Sequence, residues 1–270
     1  MDSSCDNRLM IGRIGFDVLS FQEALSRVML LATSTRGAYV VTPNVDHVVR
    51  AEHDGSFARI ANEADLVLAD GMPLIWASRL LDRKLPMRIA GSDLAPAVCD
   101  AAASLGLSVF LLGGMPGEAD LAAQKLRQKN PSLQVVGTVC PPFGFEHDAE
   151  ECARIVELIN QAKPSIVLVG VGSPKQEHWI YTWRDRLDAG VLIGVGATIG
   201  FMAGTLRRAP RMMQKIGAEW IYRLSQEPGR LVGRYVKDFE IFSIVVRTWF
   251  QSRKGQGAQD AKRRLATKSS

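Results

Sequence analysis

No apolar run in this 270-residue chain approaches the roughly 18 residues that a spanning helix needs, so the sequence offers no transmembrane candidate. The opening residues are polar, and Met10 to Ile14 is too short an apolar stretch for a secretory signal. Cysteine is scarce: Cys5, Cys99, Cys140 and Cys152 are scattered, with no C-x-x-C pair among them. That spacing excludes a zinc framework, argues against a disulfide framework, and fits reduced thiols in a cytoplasm. Strictly spaced nucleotide-binding loops are missing too. There is no G-x-x-x-x-G-K-[ST] loop; Gly194, Gly196 and Gly200 are spaced G-x-G-x-x-x-G, and Gly170-Val171-Gly172 lacks a third glycine. A nicotinamide oxidoreductase would carry its fingerprint at the first strand–helix unit, so that class is disfavoured. No RNA- or DNA-binding motif stands out, and no nucleic-acid partner is expected.

What is present is the composition of a folded protein, 47% hydrophobic and 23% charged, long enough for one large α/β domain with an appendage. The net charge of +5 is partly local, because the chain from Arg207 onward is dense in Lys and Arg. A basic C-terminal third points to an anionic partner. Apolar strands alternate with helical patterns from Ala38-Tyr39-Val40-Val41 through Val191 to Val195. This reads as a parallel sheet with helices between its strands. The boundaries follow: residues 1–10 a flexible lead-in, 11–205 the sheet domain, 206–250 a basic helical appendage, 251–270 a disordered basic tail.

The chain is organised around Leu66-Val67-Leu68-Ala69-Asp70-Gly71-Met72-Pro73. Four apolar residues suit a buried strand, Gly71 permits a tight exit, and Pro73 fits the first turn of a following helix. Asp70 then stands alone at the carboxyl tip of a strand, the edge where open α/β sheets bind ligands. It is either a reactive carboxylate or a cap for a helix from Met72 to about Leu80. Thr42-Pro43-Asn44 ends the strand before it, with Asn44 suited to cap Val45 to His53 and both Thr42 and Asn44 at the same edge. Arg88 lies in a loop with Gly91, just before a helix to about Leu105 that Ser92 or Asp93 is suited to cap. A guanidinium there suits a phosphate or carboxylate. Glycine turns at Gly113-Gly114 and at Gly170 and Gly172 let backbone approach a ligand beside helix N-termini. Ser173-Pro174-Lys175-Gln176 reads as a capping box, against the alternative that Gln176 turns into the crevice.

After Arg207-Arg208, helical patterns run from Met212 to Gln226 and from Arg230 to Phe250, with Arg230, Arg234 and Lys237 on one face. Leu231, Tyr235, Phe239 and Phe242 line an adjacent face. The second helix suits an anionic membrane interface, or else packs on the domain with a solvated basic side. An exposed apolar edge there would bury itself in lipid or in a second copy of the chain.

Five segments together resemble the WecG/TagA/CpsF family, glycosyltransferase family 26. They are Thr42-Pro43-Asn44; Ala69 to Pro73; Arg88 to Asp93; Gly170 to Glu177; and Arg208-Ala209-Pro210 followed by Glu219 to Leu224. The likeness covers about residues 10 to 250. It implies a Rossmann-like fold of the glycosyltransferase E type with a C-terminal appendage. It also implies inverting transfer of a sugar from a UDP donor to a lipid-diphosphate-linked saccharide. By the same likeness Asp70 matches the catalytic base. Thr42, Asn44, Arg88 and Gln176 match residues around the donor and active site, Thr42 and Asn44 on the catalytic side with Asp70. Arg223, Arg230 and Arg234 match basic appendage positions that engage a diphosphate near the membrane. The family implies no metal, which agrees with the absence of a D-x-D pair, and no cofactor beyond the donor. The location implied is the inner face of the cytoplasmic membrane. The competing class is a non-catalytic nucleotide-binding or membrane adaptor, which would not consume UDP-sugars.

Overall fold

The computed structural model describes residues 8–34, 36–81, 83–210, 212–213, 219–226, 229, 233, 237–250 and 253. Its centre is a parallel sheet of six strands: β3 (Ala38–Val41), β4 (Leu66–Val67), β5 (Ser108–Gly113), β6 (Gln134–Val139), β7 (Ile166–Gly170) and β8 (Val191–Gly194). They lie side by side in the order β4-β3-β8-β7-β5-β6. An antiparallel hairpin, β1 (Leu9–Ile11) and β2 (Ile14–Phe16), precedes the sheet.

Residue alternation sorts each strand between two cores. Tyr39, Val41, Phe110, Leu112, Val167, Val169 and Leu192 face one core; Ala38, Val40, Val109, Leu111, Ile166, Leu168 and Ile193 face the other. The second face is covered by α1 (Phe21–Ser34), α5 (Gly91–Leu105), α6 (Glu118–Lys129) and α9 (Thr198–Ala203). The first is covered by the hairpin and by α2 (Val45–His53), α3 (Gly55–Asn62), α4 (Met72–Ser78), α7 (Ala149–Ala162) and α8 (Lys175–Trp183). Because both faces are buried, the strands read as nearly unbroken apolar runs. This is the Rossmann-like architecture expected from the sequence.

Several local expectations need correction. α4 stops at Ser78, short of Leu80, and its cap position is Gly71, with no side-chain cap bond, so Asp70 is not its cap. α5 begins after Ala90, also without a side-chain cap. Ser92 and Asp93 lie inside its first turn and cap nothing. α8 ends at Trp183, where a 3-10 turn at Arg184–Arg186 takes over. α3 was not anticipated; Asp54 closes α2 and accepts the Ser56 and Phe57 N–H groups that open α3.

Past Ala209 the described residues include α10 (Glu219–Gln226) and a helical segment at residues 241–250, preceded by a turn at Phe239 and Glu240. That turn interrupts the single helix expected from Arg230 to Phe250. Ile241, Ile244 and Val245 are buried in the first core, and Thr248 Oγ1 accepts the Gly12 N–H at 3.0 Å. Arg247 pairs with Glu52, and His53 lies 2.9 Å from Glu240. Arg230, Arg234, Leu231, Tyr235, most of the stretch between Met212 and Glu219, and the tail beyond Arg253 lie outside the described residues. So do the lead-in 1–7 and Cys5; Cys99, Cys140 and Cys152 are free thiols.

Candidate active site

Three segments are stitched together at the carboxyl edge of β3, β4 and β8. The Asp70 N–H donates to Pro43 O at 2.9 Å, and the Ile89 N–H donates to Ala69 O at 2.8 Å. These bonds place Asp70 and Arg88 side by side. Gly71 adopts φ +154°, a conformation open to glycine, and turns the chain sharply away from the strand into α4. Gly91 brings the start of α5 against Thr42 and Val195: a Cβ there would meet Thr42 Oγ1 and Val195 Cα at 3.4 Å. The expected edge therefore exists, with Thr42, Asn44, Asp70 and Arg88 around it. It lies where the chain, having moved outward from β3 to β4, crosses back over the sheet to β5.

Five charged groups meet there. Arg88 Nη1 lies 3.7 Å from Asp70 Oδ1 and donates to Glu219 Oε2 at 3.2 Å. Arg88 Nη2 donates to Asp93 Oδ2 at 2.8 Å, and Arg208 Nη1 donates to Asp93 Oδ1 at 2.6 Å. Asp93 is thus gripped by two guanidiniums, which explains why it leaves the cap position the sequence offered it. Burial works against the charge on Arg208, but its bond to Asp93 and the charges of Asp93, Glu219 and Asp70 hold its pKa above the ordinary value. Asp70 keeps about a third of its side chain exposed, 31%, against 15% for Arg88. The carboxylate is the more exposed of the pair.

A second, buried network backs the first. Asn44 forms a reciprocal capping pair with His47: Oδ1 accepts the His47 N–H, and the Asn44 N–H donates to His47 Nδ1 at 2.9 Å. With Nδ1 accepting, the neutral ring carries its proton on Nε2, which donates to Ser173 Oγ at 2.6 Å. Ser173 is therefore not the cap expected of it; α8 follows Pro174 with no side-chain cap bond. Gln176 is buried. Its Oε1 accepts the Gly196 N–H at 3.0 Å and its Nε2 donates to Glu177 Oε1 at 2.8 Å. It neither closes a capping box nor opens toward the crevice, but ties the β7–α8 turn to the β8–α9 turn. Burial pushes the Glu177 carboxyl pKa upward, against weaker opposing bonds from Gln176 and Ser173.

The glycine turns divide into two kinds. Gly170 packs inside the sheet, where a Cβ would come within 2.8 Å of Gly196 O and of Ile199 Cδ1. Gly172, with φ +86°, faces open space, as does Gly196. At the β5–α6 turn the Glu118 carboxylate accepts the Met115 N–H at 2.8 Å and the Thr205 hydroxyl, so a side chain of the protein already takes the anion's place. Arg223 is carried on α10, its side chain outside the described residues. Among the described residues no three His, Cys, Asp or Glu side chains converge to hold a metal ion.

Sequence reasoning named Asp70, Thr42, Asn44 and Arg88 but assigned no site role to Arg208, Glu219, His47 or Glu177. The signal for Arg208 and Glu219 was their charge in otherwise amphipathic segments; their partners are more than 100 residues away.

Comparison with known proteins adds the following. The model of the glycosyl transferase WecG/TagA/CpsF family matches residues 9–255. An N-acetylglucosaminyldiphosphoundecaprenol N-acetyl-beta-D-mannosaminyltransferase of Staphylococcus aureus (strain MW2) is 32% identical over 212 residues, 77% of this chain and 79% of that protein. A protein of the same description from strain NCTC 8325 / PS 47 is 33% identical over 193 residues, 70% of this chain and 72% of that protein.

Proposed function

The chain belongs to the WecG/TagA/CpsF family of glycosyltransferases, and from that premise we propose that it moves a hexose from a UDP-sugar to a lipid-diphosphate-linked saccharide, with inversion and with Asp70 as general base. The observation that carries this reading is the half-open Asp70 carboxylate, fastened through its backbone at the sheet edge with Arg88 at 3.7 Å. The acceptor follows the relatives, whose names specify an N-acetylglucosaminyl diphosphoundecaprenol.

In the proposed reaction the acceptor hydroxyl attacks the anomeric carbon of the donor. The new carbon–oxygen bond forms as the bond to the donor phosphate breaks, the hydroxyl proton passes to Asp70, and UDP departs. The growing charge on UDP needs donors and cations nearby. Arg88 at the edge and Arg223, Arg230 and Arg234 of the C-terminal segment supply them, with no cofactor. Thr42 and Asn44 line the donor side, beside the turns of Gly170, Gly172 and Gln176.

The acceptor is a lipid, so the site works at a membrane surface. No helix of the described residues is long and apolar enough to cross a bilayer. Phe239, Phe242, Val246 and Phe250 are all exposed, and the last three recur at helical spacing on one face, with Arg253 beyond them. That face suits the anionic inner surface of the cytoplasmic membrane.

The test is sugar transfer from a panel of UDP-sugars, UDP-N-acetylmannosamine included, to a lipid-diphosphate N-acetylglucosamine in detergent with EDTA present. Asp70→Asn is expected to lose about 10²- to 10⁴-fold in turnover while still binding UDP by calorimetry. Near-native turnover in that variant would remove Asp70 from the role.

A further inference from the structure

We propose that the exposed surface running from Trp76 to Met87 is a second docking surface for an anionic lipid bilayer, built into the sheet domain and distinct from the exposed face of residues 242–250. The proposal rests on the reading of the acceptor as a lipid-linked saccharide, and adds the place where the sheet domain meets the membrane that holds it.

α4 buries Leu74, Ile75 and Ala77 in the first core, and the loop after it is pinned back on the helix. Ser78 Oγ donates to Ile75 O at 2.7 Å and accepts the Leu85 N–H at 3.1 Å. Leu81 and Leu85 are buried in the same core and anchor the loop at both ends. The outer side of the segment is thereby fixed: Trp76 is 46% exposed, Leu80 62% and Met87 43%. Met87 is held in turn at the start of α1, its Sδ accepting the Phe21 N–H at 3.4 Å. A single exposed leucine is ordinary, but three large apolar side chains on one short pinned segment call for a partner.

Charge names that partner. Arg79, Arg83 and Lys84 are exposed on the same loop, against one acidic residue in the stretch, Asp82. Tryptophan and leucine beside arginine and lysine is the composition that settles where acyl chains give way to anionic headgroups. A second copy of the chain docked through the same surface would set these cations against their own kind. The location fits as well. Asp70 immediately precedes α4, and a helix of seven residues is only about 10 Å long. A diphosphate-linked sugar anchored in the bilayer therefore reaches the Asp70 edge. α4 packs against β1, and Ile244 packs against the Gly12 turn, where a Cβ would meet Ile244 Cγ2 at 2.8 Å. The two apolar surfaces thus flank one hairpin.

The experiment floats the full chain with vesicles of equal parts phosphatidylglycerol and phosphatidylcholine, and with phosphatidylcholine alone. Trp76→Ser with Leu80→Ser is expected to weaken binding to the anionic vesicles about tenfold, through the apolar area withdrawn. Arg79→Gln with Lys84→Gln is expected to weaken it about fivefold or more and to leave binding to phosphatidylcholine alone unchanged. The second pair alters only exposed charges, so it keeps the test valid where the first pair fails to fold. Unchanged binding to anionic vesicles in both pairs overturns the proposal. So does self-association in lipid-free ultracentrifugation that both pairs abolish while vesicle binding is retained, which gives the surface to a second copy. Sugar transfer reads the reaction separately. With a short-chain diphosphate-linked acceptor in detergent both pairs are expected to keep native rates, and with the acceptor embedded in vesicles their rates fall along with flotation. A native protein that transfers to neither acceptor sinks the proposed reaction, whereas native transfer with unmoved flotation sinks the docking surface alone.

Discussion

Replacing Gln176 with leucine separates two meanings of one residue. As a ligand contact, Gln176 would contribute to donor affinity and little to stability. The structure gives it another task, since its side chain is buried and both ends are bonded within the protein, to Gly196 N–H at 3.0 Å and Glu177 Oε1 at 2.8 Å. Leucine fills a similar volume but makes neither bond, so the partly buried Gly196 N–H loses its acceptor and the buried Glu177 carboxyl loses one of its donors. Each lost bond costs about 1–3 kcal/mol, and the added apolar contact offsets part of it, so the net loss is about 3 kcal/mol. For a chain of this length that corresponds to a drop of about 6–12 °C in Tm. Differential scanning calorimetry reads the drop, and initial rates across donor concentration read KM at a temperature where the variant is folded. The expected pattern is a large fall in Tm with donor KM changed less than about threefold, since the lost energy is spent in folding rather than on the ligand. An unchanged Tm with a many-fold rise in donor KM would refute the reasoning and return Gln176 to the crevice.

Two further outcomes follow from the same geometry. The Glu177 pKa is raised by burial from an ordinary value of 4.5, so stability from this group is complete below 4.5 and declines as pH rises above it, because the unfolded chain releases the proton first. Glu177→Gln removes that dependence: its Tm should gain on the native protein as pH rises above 4.5, and parallel curves would exclude the effect. The double substitution Phe242→Glu and Val246→Glu places charge on the exposed face of residues 241–250, away from buried Ile241, Ile244 and Val245. Flotation with vesicles containing anionic lipid should fall at least several-fold with Tm little changed; undiminished flotation would move the membrane contact elsewhere.

Much of this was readable in the chain because it was local. An apolar run ending in Asp-Gly-Met-Pro told where Asp70 would stand, and Asn44 before Val45 told how α2 would begin. Strand alternation across two cores follows from period-two burial, so the sheet itself was within reach. The misreadings arose where a local motif competed with a distant partner. Ser173 and Gln176 match a capping box, yet Ser173 bonds His47, 126 residues away, and Gln176 bonds Gly196, 20 residues on. Asp93 matches a cap, yet two charged guanidiniums outbid the weaker N–H groups of a helix start. Glu118 was overlooked although its position, three residues past Met115, already suggested that the β5–α6 turn would satisfy itself.

The seam between residues 241–250 and the β1–β2 hairpin joins segments far apart in sequence: Thr248 bonds Gly12 across 236 residues, and Ile244 packs into the core that holds Ile11 and Ile14. Such contacts close late, because the loop they complete spans 236 residues. On the ribosome the hairpin must therefore wait, with part of its apolar surface uncovered, until residues 241–250 have emerged. The Arg88–Glu219 bond is subject to the same delay. A nascent or prematurely terminated chain can assemble the sheet and place Asp70 at its edge before Glu219 arrives. In that interval Arg88 at the sheet edge lacks its Glu219 partner.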